Sequence, residues 1–196
     1  MTNQEIRGAI VGMLLGDGFI TKDYSFRITH SESQKEYLFF KTRILQMVQN
    51  QSLVPYQINN SGYPGWKVDS RVTPLYKMLK RKVYVNGKKT ITEHLLSWLT
   101  PLGIAIWFMD DGSSSFKKKN GKIHAVETTL NTYMSKEQNE IIVNYFLETW
   151  GLKWGLNRDG DSYRLRMGTN EARKLVKLVE PFVIDSMKYK INKLLI

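Results

Sequence analysis

The chain has 196 residues, 42% of them hydrophobic and 12% aromatic, with 14 Gly and 5 Pro. That composition excludes a disordered, collagenous or low-complexity chain and leaves room for one compact domain or two intimately packed halves. Lys and Arg outnumber Asp and Glu by 29 to 18, a formal charge of +11, so the surface suits a polyanion, either nucleic acid or an anionic membrane. Cys is absent, which removes disulfides, thiolate nucleophiles and cysteine-containing zinc sites. The three histidines, His30, His94 and His124, are isolated in sequence and read as structural or surface residues. A metal is therefore expected on carboxylates, which favours a hard ion such as Mg²⁺. The first residues do not form the basic start of a secretory signal, and the apolar run 9–15 is too short to span a bilayer. An intracellular protein without a membrane partner is expected.

A first helix is predicted over 3–16, stopping at Asp17-Gly18, with Gly8, Gly12 and Gly16 spaced for close pairing with another helix. Strands 19–21 and 24–28 around Lys22-Asp23 read as a hairpin. Ser33 to Glu36 has the form of a capping box, and Tyr37, Phe40, Ile44, Met47 and Val48 then recur at helical spacing. Strands 54–58 and 66–68 bracket the turn-rich stretch 59–65, and Pro74 opens a helix to about Lys80. The order then restarts. Pro101 begins an apolar helix over 102–109 that stops at Asp110-Asp111-Gly112. Asn120-Gly121 turns a second hairpin whose return strand is 123–130. Ser135 to Gln138 repeats the capping pattern ahead of Ile141, Ile142, Tyr145 and Phe146. Strands 152–156 and 162–167 flank the turn 158–161, and Asn170 can cap a helix to Val179. Asp17 and Asp111 are 94 residues apart, and Ser33 and Ser135 are 102 apart, so the plan helix, hairpin, helix, hairpin, helix occurs twice at nearly constant offset. The fold expected is a pseudo-two-fold α+β protein, a tandem αββαββα repeat divided into an N-terminal half at 1–97 and a C-terminal half at 98–196.

Each half thus carries an apolar helix ending in an acid and a glycine, Ile10-Val-Gly-Met-Leu-Leu-Gly-Asp17-Gly18 and Ile104-Ala-Ile-Trp-Phe-Met-Asp-Asp111-Gly112. A carboxylate at a helix C-terminus faces the negative end of the macrodipole and needs a nearby cation. Packing of the two helices through Gly12 and Ala105 would bring Asp17 and Asp111 together. Two carboxylates with free backbone carbonyls form an oxygen-rich metal cage, for which Asp17, Asp111, Gly16 and Asp110 are the candidate ligands.

These two stretches resemble LAGLIDADG motifs, and nearly the whole chain is similar to the single-chain, two-motif, intron-encoded LAGLIDADG homing endonucleases. The resemblance implies two motif helices at a central interface and two curved antiparallel sheets forming a saddle on the DNA major groove. It implies catalytic Mg²⁺, two or more ions with Mn²⁺ as a substitute, bound by Asp17 and Asp111, the penultimate acids of the motifs. The motif's first acid position holds Leu15 and Met109, and Ile106 stands where the first copy has Gly12, which implies an asymmetric interface with a large residue facing a small one. Family members place a lysine near each scissile phosphate, and the matching positions here are Lys89 and Lys190, 101 residues apart. The resemblance further implies a monomer in a bacterial cytoplasm or organelle matrix that cuts a long asymmetric duplex and leaves short 3′ overhangs.

Strand alternation supplies candidates for base readout, because Ser25, Arg27 and Thr29 alternate with Phe26 and Ile28. Glu127, Thr129 and Asn131 do so in the second half, with Lys67, Asp69, Arg164 and Arg166 on the neighbouring strands. Lys117, Lys118 and Lys119, and the stretch 77–89 with six basic and no acidic residues, are candidates for phosphate contacts. Most of the five tryptophans are expected in the core. The alternative function on the same scaffold is an intron RNA maturase or a non-cleaving nucleic-acid-binding protein, with intron RNA as the partner.

Overall fold

The computed structural model describes residues 1–60, 62–160 and 162–192. The first helix, α1 (Asn3–Leu15), is closed by a capping box in which Thr2 Oγ1 accepts the Glu5 N–H while the Glu5 carboxylate accepts the Thr2 N–H. Strands β1 (Phe19–Ile20) and β2 (Phe26–Ser31), helix α2 (Lys35–Gln49), strands β3 (Tyr56–Asn60) and β4 (Tyr63–Asp69) and helix α3 (Pro74–Val83) follow. A short hairpin, β5 (Tyr84–Val85) and β6 (Lys88–Lys89), and the one-turn helix α4 (Glu93–Leu96) lead into α5 (Pro101–Asp111). The second round comprises β7 (Gly112–Lys119), β8 (Lys122–Leu130), α6 (Lys136–Trp150), β9 (Gly155–Asp159), β10 (Ser162–Gly168) and α7 (Thr169–Val179).

The repeat is visible in the pairing. One antiparallel sheet has the order β1-β2-β4-β3 and the other β7-β8-β10-β9, the same order shifted by one round. In β2, Phe26, Ile28 and His30 point into the core while Arg27, Thr29 and Ser31 face outward; in β8, Val126, Thr128 and Leu130 are buried and Glu127 and Thr129 are half-exposed. The period-2 pattern therefore packs one face of each sheet on helices and leaves the other charged face open.

Both motif helices are apolar all round because both are central: residues 8–15 of α1 and 102–109 of α5 are all buried. Their contact is made by backbone. A Cβ on Gly8 would lie 2.4 Å from Thr100 Oγ1, one on Gly12 only 2.1 Å from the Gly103 carbonyl oxygen, and one on Gly16 2.2 Å from Asp110 Oδ2. The contacting numbers rise together on the two helices, so α1 and α5 run side by side in one direction and end at the same place. Gly12 thus meets Gly103 rather than Ala105, two residues and about half a turn earlier along α5.

Other local expectations are corrected. Ser33 does not cap α2: a 3₁₀ turn, Glu32–Gln34, intervenes, and the Ser33 hydroxyl bonds that of Ser31 at 2.9 Å. Ser135 does cap α6, accepting from the Gln138 N–H at 3.4 Å. The N-cap of α7 is Gly168, not Asn170, because Thr169 turns its hydroxyl to the Val126 backbone of β8. Met47 is exposed, and the buried stripe of α2 is Tyr37, Leu38, Lys41, Thr42, Ile44 and Leu45. The predicted turns 59–65 and 158–161 contain Ser61 and Asp161, which lie outside the described residues; strands β3 and β4 run further into the first of them than expected. Trp107 and Trp154 are buried, while Trp66, Trp98 and Trp150 pack on the core from its edge. Among the described residues no helix is long and apolar enough to cross a membrane.

Candidate active site and nucleic-acid face

The common end of α1 and α5 opens into a cleft lined by Gly16, Asp17, Lys88, Lys89, Asp111, Thr132, Tyr133 and Gln138. Asp17 and Asp111 reach it from opposite halves. Each lies two residues beyond the last buried residue of its helix, Asp17 just past the end of α1 and Asp111 as the last residue of α5, where helix-end carbonyls concentrate negative potential. Two lysines answer that potential symmetrically. Lys89 Nζ donates to the carbonyls of Gly16 (3.2 Å) and Gly18 (2.8 Å), on either side of Asp17; Lys190 Nζ donates to those of Asp110 (3.3 Å) and Gly112 (2.7 Å), on either side of Asp111. The sequence brings them by different routes. Lys89 is delivered by the β5–β6 hairpin, whose Asn86-Gly87 turn has positive φ at both positions, and Lys190 by a 3₁₀ segment, Asp185–Lys190, after α7.

Because the lysines bond to carbonyls, the carboxylates are left to repel one another. Burial, and then the charges of Asp110 and Asp17, push the Asp111 carboxyl up to about 7; burial and Asp110 likewise raise Asp17. Burial pulls the Lys89 and Lys190 ammonium groups down, and the aspartates beside them oppose that shift. A carboxylate pair with no lysine or arginine in direct ion-pair contact among the described residues, on an open cleft and beside carbonyl oxygens that each keep a second lone pair, is a donor set that fits a hard divalent ion. The carbonyls of Gly16 and Asp110, expected free, are already engaged by one lysine each.

The Asp110 side chain lies elsewhere. Fully buried, it fills the space left by Gly16, accepts the Asp17 N–H on Oδ2 at 3.1 Å and pairs through Oδ1 with Lys41 Nζ at 2.5 Å. Lys41, also fully buried, donates to His30 Nε2 at 3.0 Å and lies 4.2 Å from the centroid of the Tyr37 ring. His30 Nδ1 is 3.1 Å from Gln34 Oε1 and 3.7 Å from Asp17 Oδ2. Asp17, His30 and Asp110 consequently form a second group of potential ligand atoms, all within 4.8 Å of one another. Burial, followed by the Lys41 charge, lowers His30 to about 4. His30 is therefore part of the site and not an isolated structural residue, as its sequence context suggested. One signal was available: Lys41 falls four residues after Tyr37, on the apolar stripe of α2.

The outer sheet faces carry most of the remaining candidates. On the first, Arg27 pairs directly with Asp69, whose other oxygen accepts the Tyr56 phenol at 2.7 Å and lies 3.4 Å from Lys67 Nζ. Thr29 is opposite Lys67 on the same face. On the second, Glu127 is held between Lys117 (3.0 Å) and Arg166, with Thr129 opposite Arg166 and Arg164 two residues along the strand. Each face thus has one acid clamping two basic side chains. Ser25 precedes β2 and bonds Thr21 through its hydroxyl at 2.9 Å; Asn131 follows β8 and gives its N–H to the Asp111 carbonyl at 3.2 Å, so both sit at strand ends. Lys117, Lys118 and Lys119 are exposed at the far end of the β7–β8 hairpin, with a register shift between Lys117 and Lys118.

A sequence profile of the LAGLIDADG DNA endonuclease family matches residues 7–175. The chain is 30% identical over 197 residues to Protein RecA of Mycolicibacterium flavescens, covering 93% of this chain and 45% of that protein, so it spans about half the length of such relatives. It is 26% identical to the cytochrome b mRNA maturase bI2 of Debaryomyces hansenii, over 97% of this chain and 74% of the maturase. Its fold is similar to that of the homing endonuclease I-WcaI bound to its DNA recognition sequence, with TM-score 0.80 and 23% identity over 96% of this chain and 86% of the other. Two motif helices in one polypeptide, two sheets in pseudo-dimeric arrangement and the matched profile place the chain in the LAGLIDADG DNA endonuclease family.

Proposed function

We propose that the chain is a site-specific homing endonuclease that hydrolyses both strands of a long, asymmetric duplex with Mg²⁺ held by Asp17 and Asp111. The observation that carries this reading is the delivery of two acids from two halves to one cleft, each flanked by a half-buried lysine, between two charged sheet faces. The halves are 1–97 and 98–196, and their unequal side chains suit a non-palindromic site read by a monomer. Divalent ions bound there would supply charge neutralisation, a polarised water and stabilisation of the leaving oxygen. Asp17 and Asp111 hold them, Lys89 and Lys190 lie where charge develops at each scissile phosphate, and the packed α1–α5 seam keeps these groups in register. Arg27, Lys67, Arg164 and Arg166, with Thr29 and Thr129, face the major groove and read base edges, while Lys117, Lys118 and Lys119 contact phosphates.

Incubation with a randomised duplex library and Mg²⁺ tests the reading. Recovery of one long asymmetric sequence cut on both strands supports it; absence of cleavage with Mg²⁺ and with Mn²⁺ contradicts it. A second reading is supported by the similarity to an mRNA maturase. On that reading the chain binds a structured intron RNA, and stimulation of splicing persists when Asp17 and Asp111 are both changed to Asn.

A further inference from the structure

The two motif acids are held in different ways, and the difference originates in one buried lysine. Lys41 Nζ presents only N–H donors, so the His30 Nε2 at 3.0 Å must be its acceptor. The ring proton then resides on Nδ1, which bonds Gln34 Oε1 at 3.1 Å and lies 3.7 Å from Asp17 Oδ2, in contact but beyond hydrogen-bond distance. A second donation from Lys41 fixes Asp110 Oδ1, which orients Oδ2 onto the Asp17 backbone N–H. Asp17 is therefore approached at its amide by Asp110 and at its carboxylate by His30, and both are held by the same ammonium. Room for this exists because residue 16 is glycine, whose Cβ would overlap the Asp110 carboxylate.

Phe19 opposite Arg27 in the first half matches Ser113 opposite Thr129 in the second, which puts Thr132 in the place of His30, and the equally long helices α2 and α6 start 101 residues apart, which puts Ile142 in the place of Lys41. The second half therefore has no ammonium at that place. Thr132 Oγ1 donates to Asn139 Oδ1 at 2.6 Å, and the Asn139 amide donates to the Met134 and Ser135 carbonyls at 3.0 Å each, closing the polar group on its own loop. Where the second motif has Asp110, the first has Gly16, so no carboxylate reaches from α1 to the Asp111 amide.

We propose that Lys41 is a positioning residue that fixes Asp17 through Asp110 and His30, so that the two motif acids are unequal and the two strands are cut with unequal dependence on this network. The cleavage part rests on the endonuclease reading; the positioning part does not. Both are tested with Lys41→Met and with Lys41→Met/Asp110→Leu, the second removing both buried charges so that folding is retained if the single variant leaves Asp110 stranded. In the metal-free protein, amide exchange followed by NMR should become about ten-fold or more faster at Asp17 and stay unchanged at Asp111, inside α5. On the selected plasmid target, nicked circles should accumulate. One strand, the same in every run, should be cut about 10–100-fold more slowly and the other nearly as in the wild type, with metal-free DNA affinity preserved. Unchanged Asp17 exchange, or equal slowing of both strands, overturns the proposal. If the wild type cuts no DNA, the endonuclease reading fails and the exchange result alone decides the positioning role.

Discussion

Replacing Gly12 with Ala tests how the two halves are joined. The added methyl carbon would lie 2.1 Å from the Gly103 carbonyl oxygen, with the Gly103 carbonyl carbon and Cα at 2.8 and 2.9 Å. A carbon–oxygen contact needs about 3.3 Å, so α1 and α5 must separate by about 1 Å at their closest point. The obstacle is backbone on both sides and cannot rotate away, which puts the cost at the upper end of overpacking, about 3 kcal/mol. For a chain of this length the melting temperature should fall by about 6–12 °C. The same displacement moves Asp17 relative to Asp111, and a misplacement of about 1 Å at reacting groups lowers the rate by about 10²-fold. Calorimetry and single-turnover cleavage measure both, with Gly155→Ala as the control, since a Cβ there makes only an ordinary 3.5 Å contact. A Gly12→Ala protein that melts within about 2 °C of the wild type and cuts at its rate would refute the close helix pairing.

Other perturbations separate the roles of the charged groups. Asp111 is raised to about 7 in the folded chain, so folding binds its proton more tightly than the unfolded chain does; its contribution is present below pH 4 and lost as pH rises through 7. Metal-free protein should therefore melt lower at pH 8 than at pH 5.5, Asp111→Asn should flatten that slope, and Mg²⁺ should restore more stability at pH 8. Lys89→Met and Lys190→Met should each slow cleavage by about 10²-fold with little change in DNA affinity, measured by single-turnover kinetics and metal-free binding. Arg166→Ala should weaken target binding by about 1–3 kcal/mol and relax selection at one base position, read from a competition library. Lys118→Ala should weaken binding to all sequences alike and reduce the salt slope by about one.

The repeat could be read from the chain because each half spells it with the same local chemistry: an apolar helix ending in Asp-Gly, an alternating strand such as Phe26 to His30, and a serine ahead of an amphipathic helix. Both sheets and both motif helices follow from those patterns. The β5–β6 hairpin was missed although Asn86-Gly87 is a strong turn signal, because its strands are two residues long and lie inside a basic run that reads as surface. Lys41 was hidden for a different reason. A single charge on an apolar stripe has no sequence partner, and its partner Asp110 lies 69 residues away on the other motif helix. Asp110 itself was legible only as a second acid at the helix end, since its inward orientation depends on the gap at Gly16. Capping by Ser33 and Asn170 is overridden by different bonds, since the Ser33 hydroxyl stays on Ser31 two residues back, whereas Thr169 beside Asn170 turns its hydroxyl across to the Val126 backbone.

The measurement closest to the central claim is strand cleavage by Asp17→Asn and by Asp111→Asn, each on the selected duplex with Mg²⁺, beside metal-free binding to the same duplex. If one cleft built by two halves performs the hydrolysis, each variant binds as the wild type does and neither makes a double-strand break. Double-strand cleavage at the wild-type rate by either variant would contradict the account.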